Sequence, residues 1–150
     1  MRVSNEDVFM AVAAAVSLRG TCPRRQVGCV LVTYQNTILA TGFNGAPRGA
    51  VHCLDRPCPG AALSHGAGLD RCAAIHAEQN ALIQCSDPFA IEDCYTTAFP
   101  CMHCFKMLAN TGCRRIVYQS EYPATEYAVG SFNSSLKNPM RIEKYGRLPT

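Results

Sequence analysis

The chain has 150 residues, 48% hydrophobic and 17% charged, with a formal net charge of +3. That size and composition suit one globular domain, 1–150, able to bury its own core. No stretch reaches the roughly 18 uninterrupted apolar residues of a membrane span. Asn5, Glu6 and Asp7 break the alanine-rich start as a secretory signal, and the charge is too small for the basic stripe of a nucleic-acid binder. The expectation is a cytoplasmic protein with no membrane and no nucleic-acid partner.

Residues 4–19 read as a helix, capped by Ser4, with Val8, Phe9, Val12 and Val16 on one face and Gly20 as its stop. Val27 to Val32 is a continuous apolar run and predicts a buried strand. A turn at Gln35-Asn36 leads to a second strand through Ile38 and Leu39, which makes a hairpin. The loop Gly42-Phe43-Asn44-Gly45-Ala46-Pro47 follows. Residues 49–71 carry no apolar period, and so long an irregular segment calls for something to tie it down.

Ala73 to Gln84 reads as a helix and Cys94 to Phe99 as a strand. Pro100 then opens a helix that ends near Gly112. Arg115 to Gln119 is another strand. Val129, Phe132 and Leu136 are spaced like a helix face, although Gly130 and Pro139 count against one. The order of elements predicts an α/β layered sandwich with a mixed sheet.

Eleven of the fourteen basic residues are arginine, whose planar fork suits phosphate. Ten cysteines stand at 22, 29, 53, 58, 72, 85, 94, 101, 104 and 113. In an intracellular setting such clusters point to metal rather than disulfides. Cys29, Cys85, Cys94 and Cys113 sit among apolar residues and read as core thiols.

The chemistry concentrates in His76-Ala77-Glu78 and Pro100-Cys101-Met102-His103-Cys104. His76 offers an imidazole. Cys101 and Cys104 form a C-x-x-C pair at a helix start, where the dipole favours thiolate. Three ligands leave the fourth tetrahedral position open, which marks a catalytic zinc. Such a zinc lowers the pKa of bound water to about 7. Glu78 is placed to carry protons between that water and a leaving group. A lone C-x-x-C would also fit a zinc knuckle, with His76 as a core histidine. H-x-E together with P-C-x-x-C is far more specific, and it is the signature of the zinc deaminases.

The runs Ile75 to Leu82, Gly42 to Gly49, Thr96 to Met107 and Thr21 to Gly28 resemble deoxycytidylate (dCMP) deaminases of bacterial and phage type. The resemblance spans about residues 5–125. It implies a cytidine-deaminase-like three-layer α/β/α sandwich with a mixed five-stranded sheet. It also implies hydrolytic deamination of dCMP to dUMP and ammonia, and a homohexamer. His76, Cys101 and Cys104 would bind the catalytic zinc, Glu78 would shuttle protons, and Asn44 would contact the nucleotide's sugar or phosphate. Many such enzymes are activated by dCTP and inhibited by dTTP, with Mg2+. By the same resemblance Gly42, Phe43, Asn44, Gly45, Arg25 and Arg48 would serve the effector site. Arg24, Arg25 and Arg48 are the basic residues placed to meet phosphates, with no choice made among them.

Cys22, Cys53, Cys58, His65 and Cys72 remain, and four soft ligands closing around one ion make a structural zinc site. Cys22, Cys53 and Cys72 lead, with either Cys58 or His65 as the fourth; His52 is the weaker candidate. Tyr95, Phe99 and Phe105 flank the zinc motif and could stack on a pyrimidine or pack the core. The motif alone also admits nucleoside, tRNA and polynucleotide deaminases. Without any Trp or an interleaved basic-aromatic patch, a strand-binding surface is the poorer reading. A zinc-stabilised binding module is the non-enzymatic alternative.

Overall fold

The computed structural model describes residues 1–63 and 72–146. Its elements are α1 (Asn5–Ser17), β1 (Gly28–Thr33), β2 (Ile38–Phe43), α2 (Ala77–Gln84), a 3-10 turn (Pro88–Ala90), β3 (Ile91–Ala98), α3 (Met102–Ala109), β4 (Arg115–Ser120), α4 (Pro123–Ser135) and β5 (Arg141–Lys144). The five strands form one sheet in the order β2-β1-β3-β4-β5. β1 runs antiparallel to β2 and β3, while β3, β4 and β5 are mutually parallel. This is the expected mixed sheet.

Alternation along the strands divides the core in two. On one face Val30, Val32, Tyr95 and Val117 pack against Phe9, Met10 and Ala13 of α1. On the other, Cys29, Leu31, Cys94 and Ile116 meet α2, α3 and α4 through Ala81, Phe105, Leu108 and Val129. The result is a three-layer α/β/α sandwich with β3 at its centre. No helix among the described residues is long and apolar enough to cross a membrane.

Several element readings are corrected by the structure. The buried residues of α1 are Phe9, Met10 and Ala13, while Val8 is 45% exposed. The helix lies so close to β1 that a Cβ on Gly28 would come within 1.9 Å of the Ala13 carbonyl oxygen. The small Ala13 therefore has to face the sheet, and the contact face turns with it. Helix α2 begins at Ala77 rather than Ala73. Residues leading into it are extended because Ile75 and Gly45 exchange both backbone hydrogen bonds, at 2.7 and 3.1 Å. Strand β3 starts earlier than expected, at Ile91.

The C-terminal part forms helix α4 and then β5, a strand that periodicity did not announce. The Asn133 side chain accepts from the Met140 N–H and donates to the Met140 carbonyl, both at 2.8 Å, and so turns the chain back to the sheet edge. At the amino ends of β3 and β4, Arg115 binds Asp93 through Nε and Nη2, at 3.1 and 3.2 Å. It also reaches Glu6 of α1 at 2.6 Å, Glu143 of β5 at 3.2 Å and the Tyr95 hydroxyl at 2.8 Å. One guanidinium thus joins four elements, using the donor fork that lysine lacks.

Candidate active site

The opposite end of the sheet, beyond the carboxyl ends of β3 and β4, holds the chemistry. His76 is the N-cap of α2 and Cys101 the N-cap of α3, both with extended backbone. Their backbones are held by local bonds. The His76 N–H donates to Gln79 Oε1 at 2.8 Å, and the Cys101 carbonyl accepts from the Phe105 N–H at 2.9 Å. Two helix N-termini converge, and their positive dipole ends favour thiolate.

His76 Nδ1 lies 3.4 Å from Cys101 Sγ and 3.3 Å from Cys104 Sγ. A tetrahedral zinc with ordinary bond lengths would set nitrogen and sulfur about 3.6 Å apart. The observed spacing fits such an ion with little adjustment. Among the described residues this is the one group of three His, Cys, Asp or Glu residues whose ligand atoms all lie within 4.8 Å of one another. The electrostatics agree. Hydrogen bonds from Cys104 and His76 bring the Cys101 thiol down to about 4, whereas the Cys104 thiol, beside that anion and buried, is pushed up. The bond to Cys101 raises His76. One thiolate is therefore ready, and an entering metal has to displace the remaining protons.

Glu78 is 4% exposed, and Thr96 beside it is completely buried. Burial raises the Glu78 carboxyl, against the opposing pull of its own backbone N–H, His76 and the Thr96 hydroxyl. A carboxyl moved toward neutrality suits proton exchange. The cleft over the trio is lined by Arg24, Arg25, Val27, Asn44, Phe99 and Tyr122, with Glu78 and His76 among its walls.

Each expected residue now has a place. Asn44 lines the cleft, and its amide also works structurally. Nδ2 donates to the Arg25 carbonyl at 2.6 Å and Oδ1 accepts from the Val27 N–H at 2.8 Å. This clamps the loop that carries Arg24 and Arg25 against the end of β2. Gly42 and Gly45 are buried contact points: a Cβ on Gly42 would meet the Ala77 carbonyl oxygen at 2.2 Å, and one on Gly45 would meet Thr21 Oγ1 at 2.8 Å. Phe43 is half-buried at the end of β2, and Arg48 is exposed beyond it.

Cys22 and Cys53 are buried, while Cys58 and Cys72 are half-buried. Cys58 contacts both Cys53 and Cys72, and its thiol falls to about 7, chiefly through the Ala73 backbone. Arg24 meets Cys22 and Cys72. His65 lies outside the described residues. His52 is exposed. Of the predicted core thiols, Cys29, Cys94 and Cys113 are buried, and Cys85 is only half-buried.

The aromatic candidates separate. Phe99 lines the cleft, with its ring 4.9 Å from Tyr118 edge-on. Tyr95 points to the α1 side, 5.3 Å from the Phe9 ring, and Phe105 packs against Phe132. Tyr122, at the N-cap of α4, lines the cleft and was missed. Its sequence neighbourhood, Glu121-Tyr122-Pro123, reads only as a strand end before a helix.

A His-Cys-Cys trio with a buried carboxylate beyond the carboxyl ends of the parallel strands β3 and β4 defines a metal-assisted hydrolytic site. Residues 3–120 match the model of the cytidine and deoxycytidylate deaminase zinc-binding region. The chain belongs to the cytidine and deoxycytidylate deaminase family. It is 38% identical over 125 residues to a deoxycytidylate deaminase of Schizosaccharomyces pombe, covering 81% of this chain but only 38% of that relative. With the deoxycytidylate deaminase of Mycobacterium phage D29 it shares 37% identity over 123 residues, 77% of this chain and 94% of the phage protein. The crystal structure of the dCMP deaminase from cyanophage S-TIM5 in complex with dCMP and dUMP superposes with a TM-score of 0.73 at 27% identity, over 97% of this chain and 99% of that one.

Proposed function

We propose that the chain is one catalytic domain that hydrolyses the exocyclic amine of dCMP, yielding dUMP and ammonia. The observation that carries this reading is the Glu78 carboxylate buried beside the His76, Cys101 and Cys104 ligand atoms, at a cleft whose rim bears Arg24 and Arg25. A zinc ion held by His76, Cys101 and Cys104 would supply an acidified water and charge stabilisation. Glu78 accepts the proton of the attacking water as the C–O bond forms at C4 of the base, and passes it to the ring nitrogen. It then takes the remaining proton from the new C4 hydroxyl and delivers it to the amine, so that the carbonyl forms as the C–N bond breaks and ammonia leaves. Phe99 and Tyr122 offer rings against the base, and the two arginines offer forks to the phosphate.

We read the cysteine group as a second, structural zinc site held by Cys22, Cys53 and Cys72, with Cys58 as the fourth ligand in preference to His65. The support is the contact of Cys58 with both Cys53 and Cys72; metal entry would draw the sulfurs closer, since no three of the four lie within 4.8 Å of one another. Regulation by dCTP and dTTP with Mg2+, and assembly as a hexamer, belong to the same reading. The exposed Arg48, just beyond the Gly42–Gly45 loop, would serve the effectors, with Arg25 kept for the substrate phosphate. A cytoplasm, the host's if the source is viral, belongs to the same reading, since a reducing compartment keeps such cysteines available as metal ligands.

Glu78→Gln tests the core of this reading. The variant should lose turnover by about a thousandfold or more while its zinc content, measured by atomic absorption, stays at the wild-type value. Retained turnover removes Glu78 from the proton path, and loss of zinc makes it a ligand instead.

A further inference from the structure

We infer that Thr96 is a positioning residue for the reaction: its hydroxyl fixes Oε1 of Glu78, which leaves the other carboxylate oxygen to exchange protons with water and base. The inference rests on the role given to Glu78 above.

Thr96 lies on β3, the central strand, paired with Cys29 of β1 on one side and Tyr118 of β4 on the other. It is wholly buried. An apolar β-branched side chain would suit such a position at least as well, so the hydroxyl calls for an account of its hydrogen bonds. Oγ1 donates to Glu78 Oε1 at 3.1 Å or to the Ala98 carbonyl at 2.9 Å, and accepts weakly from the Ala98 N–H at 3.4 Å. A hydroxyl carries a single proton and two lone pairs. It serves one acceptor at a time and keeps a partner whichever way it turns. It therefore donates to Glu78 Oε1 while Glu78 is a carboxylate, and once Glu78 is protonated it can turn its proton to the Ala98 carbonyl and accept from the acid instead.

Among the described residues Glu78 has few other anchors. Its own backbone N–H is one, and Cys104 also touches it. Cys104 bound to a metal has no proton to give. The Thr96 hydroxyl is then the side-chain donor that stops rotation of the carboxylate about its last torsion. A general acid-base catalyst works only when its oxygen stays within hydrogen-bond reach of the proton it moves.

Thr96→Val removes the hydroxyl and keeps the shape, and Thr96→Ser keeps the hydroxyl. The rates are read with whichever of dCMP, deoxycytidine and cytidine the wild-type protein deaminates fastest. Thr96→Val should lower kcat about tenfold to a hundredfold with KM held within about threefold. Its zinc content should equal that of the wild type. Thr96→Ser should keep kcat within about threefold. Wild-type kcat in Thr96→Val overturns the inference. So does a Thr96→Ser variant as slow as Thr96→Val, or a loss confined to KM or zinc, since those results describe packing. Should Thr96→Val not fold, Thr96→Ala read against Thr96→Ser decides by the same criteria. A wild-type protein inert toward all three substrates contradicts the proposed function itself, and the inference falls with it.

Discussion

His76 stands outside α2, so it and Glu78 need not obey helical spacing. The imidazole joins the thiols from an extended N-cap position, and the carboxylate projects from the first turn into the same cleft. This is why two residues only two apart can serve one centre, although both inside a helix would face different ways. The arginines carry the residue-scale prediction. Arg25 lines the cleft with Glu78 and Tyr122, and burial there draws its guanidinium down from its ordinary value. Arg25→Ala should lower kcat/KM for dCMP about tenfold or more and leave deoxycytidine, which has no phosphate, almost unchanged. Equal losses on both would place Arg25 in the fold rather than at the phosphate. The ligand trio and Glu78 were legible in the sequence because metal chemistry demands fixed residue types at short spacings. Tyr122 and Thr96 were not, because Thr96 reaches the site through the central strand and Tyr122 through the turn into α4, and neither position carries a fixed spacing to the ligands.

At the scale of elements, the cleft is made by close approach. The Ala77 carbonyl and Ala81 amide of α2 would stand 2.2 and 2.4 Å from a Cβ on Gly42. That contact sets the end of β2 against the helix that begins at His76. Gly42→Ala should destabilise the protein by about 2 kcal/mol, seen in urea unfolding, and should impair turnover through displaced α2. Unchanged stability would show that the elements part easily. Beside it, Asn44 ties the arginine loop to β2 through two backbone bonds. The Gly42–Gly45 run reads as a turn or an effector loop in the sequence. Its packing became visible only when α2 and Thr21 came against it. The same holds for α1, where periodicity found the helix but closeness to Gly28 chose the face. The β5 strand depends on the side-chain bridge from Asn133, a contact no local pattern encodes.

Over the whole molecule, the two ends of the sheet have different work. The Arg115 cluster braces α1, β3, β4 and β5 at one end, and the other is left to hold metal, carboxylate and arginines. The α/β class and the mixed sheet followed from the order of apolar runs, because strands and helices alternate after the opening hairpin. The central claim is the substrate, and ammonia release from dCMP tests it most directly, with deoxycytidine and short single-stranded DNA in parallel and each with and without dCTP and dTTP. The account predicts turnover of dCMP far above the other two, raised by dCTP and cut by dTTP. Turnover of deoxycytidine or DNA with dCMP inert would contradict it, keeping the deaminase chemistry of Glu78 and its ligand trio while removing the phosphate role from Arg24 and Arg25.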